Sequence, residues 1–167
     1  IDFIINCAGK SSFEKIEDIS LDNWKNIIND NLTSTFLITK YLLKILKKNS
    51  NSSIVNISSI AGKKFSKLAG VHYTASKAGV IGFTRQLSIE LSKSKIRVNT
   101  IAPGQVNSKM LNSAMKINNL QKKDLTKLIP LGRLAEPSDI ANCCIFLCSS
   151  NASYITGATI DINGGLI

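Results

Sequence analysis

The chain has 167 residues, 44% of them hydrophobic and 19% charged, a composition that is typical of a folded α/β domain and excludes an intrinsically disordered chain. Its net charge of +10 comes mostly from scattered lysines, without an arginine-rich stripe or interleaved aromatic residues, so the charge does not favour nucleic-acid binding. No apolar run approaches the length of a membrane span, and the four cysteines lack the paired spacing of a metal site, so we predict no metal.

Four apolar runs predict β-strands. They lie at residues 1–7, 53–57, 97–101 and 158–162. The first run is almost continuously apolar, which predicts a strand that is buried on both faces of a sheet.

Helices are predicted between these strands. The first covers residues 20–48, with Ser20 as its N-cap, and the others cover residues 73–92 and 137–148. Residues 105–129 are polar and weakly periodic, which predicts a mobile loop with short helices. Because strands and helices alternate, the sequence predicts right-handed crossovers and a parallel, doubly wound α/β sheet of the Rossmann type.

Short turns rich in small and polar residues follow three of the predicted strands. They are residues 6–9, the pair Ser58-Ser59, and residues 103–108. In parallel sheets, ligands bind beyond the carboxyl ends of the strands. We therefore expect the three turns to rim one crevice.

Tyr73 and Lys77 are the most informative pair in the sequence. Four residues apart on a helix, they share one face, so the Lys77 ammonium can approach the phenol and lower its pKa from a reference value of about 10. By itself the spacing also fits a surface lysine beside a packed tyrosine. Asn31 is the remaining polar candidate at the crevice. His72, the only histidine, is expected to serve in packing or at the surface.

In their order along the chain, these motifs resemble the short-chain dehydrogenase/reductase family, and the resemblance covers essentially all 167 residues. Its pieces are Asn6-Cys7-Ala8-Gly9, Asn31, Ile57-Ser58-Ser59, Tyr73-x-x-x-Lys77, Arg97-Val98-Asn99-Thr100-Ile101-Ala102-Pro103-Gly104, Pro130-Leu131-Gly132-Arg133 and Asp161-Ile162-Asn163-Gly164-Gly165. Within the family, the sequence is most similar to the 3-oxoacyl-(acyl carrier protein) reductase group. Sugar, polyol and steroid dehydrogenases share the same motifs.

The resemblance implies four catalytic residues. Tyr73 would donate a proton to a substrate carbonyl during reduction and accept it in the reverse direction. Lys77 would lower the pKa of that phenol and bind the nicotinamide ribose. Ser59 would position the carbonyl, and Asn31 would hold a water in a proton relay through Lys77.

The resemblance also implies a nicotinamide coenzyme, with NADP slightly preferred over NAD. Besides Tyr73 and Lys77, the coenzyme-binding residues would be Asn6, Ala8, Gly9, Pro103, Gly104, Val106 and Ser108. The backbone at Asn6, Ala8 and Gly9 would pass close to the ribose, and Val106 and Ser108 would hold the carboxamide. Ser108 replaces the threonine that is more usual in the family but keeps the hydroxyl.

The family's glycine-rich turn, Thr-Gly-x-x-x-Gly-x-Gly, does not occur in this sequence, and neither does the residue that distinguishes NAD from NADP. We therefore expect residues 1–167 to form a single partial Rossmann-fold domain, the carboxy-terminal two-thirds of an enzyme, inactive when isolated. Residues 105–129 would form the substrate lid.

The implied activity is hydride transfer between NAD(P)H and a carbonyl or secondary alcohol, with 3-oxoacyl thioester reduction in fatty acid biosynthesis as the first interpretation. Three alternatives stay open: an NAD-dependent dehydrogenase of a sugar or polyol, a truncated non-catalytic subunit, and a basic module that binds an acidic partner.

The resemblance further implies a cytoplasmic homodimer or homotetramer, built through the helices at residues 20–48 and 73–92 and through the last strand. Lys63, Lys64 and Lys67 follow Ser59, so they are expected near the mouth of the crevice. There they could steer an acidic carrier protein electrostatically, or they could simply form a solvated loop.

Overall fold

Four parallel strands form the central sheet of the computed structural model, which describes residues 1–49 and 51–166. They lie side by side in chain order as β1 (Phe3–Asn6), β2 (Ser53–Ile57), β3 (Arg97–Pro103) and β4 (Thr159–Ile162). All three pairings are parallel. The predicted parallel α/β sheet is therefore confirmed.

Six α-helices accompany the sheet in the described residues. They are α1 (Leu21–Ile28), α2 (Ser34–Leu46), α3 (Val71–Leu91), α4 (Lys109–Ile117), α5 (Lys122–Thr126) and α6 (Pro137–Cys148). Ser20 caps α1 as predicted, since its hydroxyl accepts a hydrogen bond from the Asn23 backbone N–H at 3.1 Å. Within the part of the chain that the structure describes, no helix is long and apolar enough to cross a bilayer.

A π-helical turn, Asn29–Thr33, joins α1 to α2. The helix predicted at residues 20–48 is therefore two α-helical pieces around one wider turn. Such turns insert a residue into the helix and often lie at functional sites. Asn31, the polar residue singled out in the sequence, lies within this turn and is buried.

Side chains of β2 alternate between two helical layers, as expected for a strand. Ile54 packs in a buried cluster with Leu46 of α2 and Leu87 of α3. Val55 packs on the opposite face with Leu147 of α6. Helices therefore cover both faces of the sheet, which is the doubly wound arrangement.

In the described chain the first strand is only half buried, whereas its apolar run predicts burial on both faces of the sheet. Ile4 packs into the core, whereas Phe3 and Ile5 are 47% and 48% exposed. β1 lies at the edge of the sheet and pairs only with β2 among the described strands. An apolar run alone cannot distinguish such an edge strand from a central one.

Two short helices, α4 and α5, occupy the segment 105–129 that the sequence predicted as a loop with short helices. Their apolar residues form a small cluster of their own, which includes Leu111, Leu125 and Ile129. The mobility of this segment stays a prediction.

Candidate active site

The predicted turns follow the carboxyl ends of β1, β2 and β3 and therefore lie together along one edge of the sheet. This is the edge formed by the strand ends, not the side of the sheet formed by β1. Asn6, the last residue of β1, lies beside Asn56 of β2, and Ile57 lies beside Ile101 of β3. The turns that follow these strands therefore start from neighbouring positions. α3 begins after the β2 turn and returns the chain past the same edge.

Lys77 lies buried beneath this edge, with 5% of its surface exposed. Its Nζ donates a hydrogen bond to the Ile57 carbonyl at 3.0 Å, at the last residue of β2. The same nitrogen lies 5.8 Å from the centre of the Tyr73 ring. The helix therefore brings the ammonium and the aromatic ring together, as their spacing predicts.

The pKa of Tyr73 differs in direction from the prediction. Burial raises the pKa of the phenol above its usual value, and the neighbouring Ser59 side chain lowers it by less. The Lys77 Nζ donates its hydrogen bond to the Ile57 carbonyl. The net shift of the Tyr73 pKa is therefore upward and not downward as predicted, so the phenol is protonated at neutral pH.

Burial also lowers the pKa of Lys77 to about 8, and the nearby Cys7 thiol acts in the opposite direction. Desolvation disfavours the ammonium form, which explains the direction. Lys77 is thus a buried cation that gives up its proton near the upper end of the physiological range.

The Lys77 pKa predicts a pH-dependent stability. An unfolded lysine binds its proton up to the ordinary value of 10.5, whereas folded Lys77 does so only to about 8. Between these values the unfolded chain binds more protons, so the free energy of unfolding rises with pH. Lys77→Met removes this contribution. We expect the free energy of unfolding of the wild type to rise by about 2 kcal/mol relative to that of the Met variant between about pH 7 and pH 9.5.

Denaturant unfolding of both proteins across this pH range is the measurement. Lys93→Met, at an exposed lysine, is the matched control, and its difference from the wild type should stay constant with pH. A constant difference for Lys77→Met as well would contradict the lowered pKa.

Both polar atoms of the Asn31 side chain have hydrogen-bond partners. Its Oδ1 accepts from the Lys10 backbone N–H at 2.7 Å, and its Nδ2 donates to the Lys10 carbonyl and to Ser76 Oγ, each at 2.9 Å. The Asn31 carbonyl accepts from the Thr35 hydroxyl at 3.1 Å. The water at Asn31 stays a prediction.

Two serines that the prediction did not assign to the site join α3 to its surroundings. Ser76 accepts from Asn31 and donates to the Tyr73 carbonyl at 2.7 Å. Ser58 donates to the Lys77 carbonyl at 2.8 Å. Ser76 stands between the two catalytic candidates of α3, and this position was the only sequence signal for it.

The turn after β1 approaches the same groups. A Cβ on Gly9 would lie 2.9 Å from Asn31 Oδ1 and 3.3 Å from Lys77 Nζ, so a side chain there would collide with the site. Asn6 turns inward and donates to Asn56 Oδ1 at 2.8 Å. Ala8 is exposed, which leaves its backbone accessible to a ligand.

The turn after β3 is packed against β4. The Gly104 N–H donates to the Ile162 carbonyl at 2.8 Å, and a Cβ on Gly104 would lie 2.9 Å from Asn163. Val106 forms an isolated bridge with Ala135. Ser108 caps α4 by accepting from the Leu111 N–H at 3.3 Å, so its hydroxyl proton remains free for a further acceptor.

The cysteines and His72 of the described residues do not form a metal site. Among residues 1–49 and 51–166, no group of three or more His, Cys, Asp or Glu side chains could hold a metal ion. Burial raises the pKa of Cys144 to about 11. Cys7 is exposed. His72 is fully buried and therefore does not lie at the surface.

Comparison with known proteins adds three findings. 3-Oxoacyl-[acyl-carrier-protein] reductase FabG of Aquifex aeolicus is 41% identical over 167 residues, which are 99% of this chain and 65% of that protein. A 3-oxoacyl-[acyl-carrier protein] reductase of Brucella melitensis with bound NAD superposes with a TM-score of 0.88 at 35% identity, over 99% of this chain and 62% of that one. Aldohexose dehydrogenase of Thermoplasma acidophilum gives 0.94 at 29% identity, over 99% and 68%.

This chain thus spans 65% of the length of the Aquifex relative. The family model described as enoyl-(acyl carrier protein) reductase matches residues 1–167. Together with the ordered motifs, these matches show that the chain belongs to the short-chain dehydrogenase/reductase family.

Proposed function

We propose that this chain carries the catalytic residues of an NAD(P)-dependent oxidoreductase, which transfers a hydride between the coenzyme and a carbonyl or secondary alcohol. The observation that carries the proposal is the buried Lys77, held at the end of β2 and beside the Tyr73 ring. A buried ammonium is costly to maintain, so its retention beside a phenol at a ligand-binding edge favours a catalytic role.

Tyr73 is the proton donor in this proposal. Because burial raises its pKa, the phenol is protonated at neutral pH, as an acid for carbonyl reduction must be. The Ser59 side chain lowers the pKa of that phenol and would donate a hydrogen bond to the carbonyl oxygen of the substrate. A water held at Asn31 would pass a proton from solvent through Lys77 to Tyr73 after each turnover.

The residues at this edge fit the nicotinamide half of a coenzyme, which supplies the hydride when it is bound. The space beside the Gly9 backbone, next to the Lys77 ammonium, is open only because Gly9 has no side chain. The holding residues would be Asn6, Ala8, Gly9, Tyr73, Lys77, Pro103, Gly104, Val106 and Ser108. No glycine-rich turn for a pyrophosphate occurs in the sequence, and NADP remains slightly preferred over NAD as a prediction.

A 3-oxoacyl thioester is the proposed substrate. Its support is the 41% identity to a 3-oxoacyl-[acyl-carrier-protein] reductase over 99% of this chain. The segment 105–129, with its own apolar cluster, is proposed as the lid over the acyl chain. A specific observation also favours an aldohexose or polyol as an alternative, because an aldohexose dehydrogenase gives a TM-score of 0.94.

The test is a substrate comparison on the protein expressed with all the sequence that its natural reading frame supplies. Oxidation of NADPH and NADH is followed with an acetoacetyl thioester, and reduction of NAD and NADP with aldohexoses and polyols. Turnover of the thioester supports the reductase. Turnover of sugars alone would exclude the thioester as substrate and support hydride transfer to or from a sugar. Absence of turnover with every pair of coenzyme and substrate would contradict the proposed activity and favour a non-catalytic subunit.

We also propose that the active protein is a homodimer or homotetramer. α2 carries several large apolar side chains that are at least 37% exposed in the single chain: Phe36, Leu37, Ile38, Tyr41 and Ile45. Single exposed apolar residues are normal at a protein surface, whereas a group of this size marks an interaction site. Light scattering of the purified protein measures the assembly directly.

Lys64 and Lys67 are the proposed contacts for an acidic carrier protein. Lys63, the third lysine of this loop, pairs with Asp161 and is therefore partly neutralised. The loop also presents Phe65, which is 82% exposed. A basic loop with an exposed aromatic side chain suits an acidic, partly apolar partner.

Charge reversal tests this docking surface. We expect Lys64→Glu with Lys67→Glu to lower kcat/KM for a carrier-bound substrate by about tenfold at low salt, because steering is electrostatic. A small free thioester should be reduced at the wild-type rate. Lys47→Glu with Lys93→Glu, at exposed positions toward the opposite edge of the sheet, is the matched control. An equal loss on both substrates would exclude carrier docking at this loop.

A further inference from the structure

His72, the residue directly before Tyr73, is a buried polar side chain that the catalytic roles do not explain. Its ring is 0% exposed. The buried side-chain atoms of the described residues that lack a hydrogen-bond partner are both His72 ring nitrogens, Glu14 Oε2 and Thr100 Oγ1. Three of the four belong to His72 and Glu14. Native structures leave few such atoms unpaired, so this concentration requires an explanation.

The unpaired atoms of the two residues face each other. His72 Nε2 and Glu14 Oε2 are 3.6 Å apart. This distance exceeds a normal hydrogen bond by about half an ångström, which a small rotation of a side chain can close. The Glu14 side chain is 38% exposed, so it has room to rotate. Each atom therefore has an unpaired partner within reach of a small rotation.

Glu14 lies in a segment, residues 10–14, that is tied to the start of α3 and to α1. The Ser12 carbonyl accepts a hydrogen bond from the Gly70 N–H at 2.7 Å, directly before α3. The second carboxylate oxygen of Glu14 accepts from Asn23 Nδ2 in α1 at 2.9 Å. A link from Glu14 to His72 would thus connect α1, the 10–14 segment and the first turn of α3.

Gly70 shows how closely these parts are packed. A Cβ at Gly70 would lie 2.7 Å from His72 Cε1 and 2.9 Å from the Glu14 carbonyl oxygen. The His72 ring is therefore confined between the start of α3 and the 10–14 segment. Since adjacent residues on a helix point about 100° apart, a ring held there also fixes the direction in which Tyr73 leaves the helix.

We propose that His72 donates a hydrogen bond from Nε2 to Glu14 Oε2, and that this pair is a positioning device for the Tyr73 phenol. The inference rests on the proposed function of Tyr73 as proton donor. His72 does not reach the substrate in this proposal. It acts by holding the first turn of α3 at a fixed rotation. A phenol displaced by a fraction of an ångström transfers its proton less efficiently.

The pair is tested by removing each partner and both together. Glu14→Ala and His72→Leu should each lower kcat by about tenfold, with the KM of the coenzyme unchanged. The double variant should lose no more than either single one, because both remove the same contact. His72→Gln keeps a side-chain N–H donor and should retain most of the activity. Glu17→Ala, at an exposed glutamate nearby, is the control and should behave as wild type.

Multiplying losses in the double variant, or lowered thermal stability with an unchanged kcat, would overturn the positioning role. A second readout does not depend on turnover. His72 is the only histidine in the 167 residues, so its ring nitrogens are identified by NMR through their loss in His72→Gln. Glu14→Ala should shift the Nε2 signal and Glu17→Ala should not. An unchanged signal in Glu14→Ala overturns the pair, whereas a shifted signal without any turnover would leave the pair and contradict only the proposed function.

Discussion

Tyr73→Phe is expected to lower the turnover of the 3-oxoacyl thioester by about 10³-fold, the middle of the range for loss of a general acid. The substitution removes only the phenol oxygen, so the ring keeps its packing beside Lys77. Hydride transfer to a carbonyl without a proton donor leaves an alkoxide in a buried site, which is strongly disfavoured. Steady-state kinetics with saturating coenzyme measure the loss.

The coenzyme KM should change little in this variant, because a phenyl ring fills the same space as the phenol ring that it replaces. Tyr154→Phe is the matched control, since Tyr154 is fully exposed before β4 and belongs neither to the site nor to the exposed face of α2. Its activity should equal that of the wild type. A Tyr73→Phe protein that keeps more than about a tenth of wild-type kcat would contradict the role of the phenol as proton donor.

The sequence predicted the regular elements well where the chemistry of a segment is local. β2 occupies residues 53–57 as predicted, and Ser20 caps α1, because an apolar run and a capping hydroxyl are each decided by near neighbours. The family and the α/β sheet also followed from the order of short motifs. The burial of β1 did not, because exposure depends on the strands and helices that pack beside it.

The site was harder to predict in detail than in outline. Helical spacing brings Lys77 and Tyr73 together, yet it gives no information about where the ammonium points. The bond from Lys77 to the Ile57 carbonyl depends on how α3 packs against β2, and burial then decides the direction of both pKa shifts. The π-helical turn at Asn31 was missed for a similar reason, since one inserted residue hardly changes the helical pattern.

Gly62→Ala is expected to destabilise the fold by about 3 kcal/mol, the upper part of the range for overpacking. Gly62 ends the short turn that follows Ser59. A Cβ there would lie 2.7 Å from the backbone carbon of Lys77 and 2.8 Å from the Ala78 nitrogen. Because these are backbone atoms of α3, no side-chain rotation relieves the clash, and the turn must move away from the helix. Denaturant unfolding of the variant measures the change.

Gly82→Ala is the same chemical change with the opposite expected sign. Gly82 lies inside α3, and a Cβ there would meet no atom within 4 Å. Alanine favours the helix over glycine by about 1 kcal/mol, so this variant should be more stable than the wild type. The turn displaced by Gly62→Ala carries Ser59, so that variant should also lose turnover when measured at a temperature where it is folded. Equal stability of the two variants would show that the turn and α3 are not held in close contact, which would remove the basis for placing Ser59 beside Tyr73.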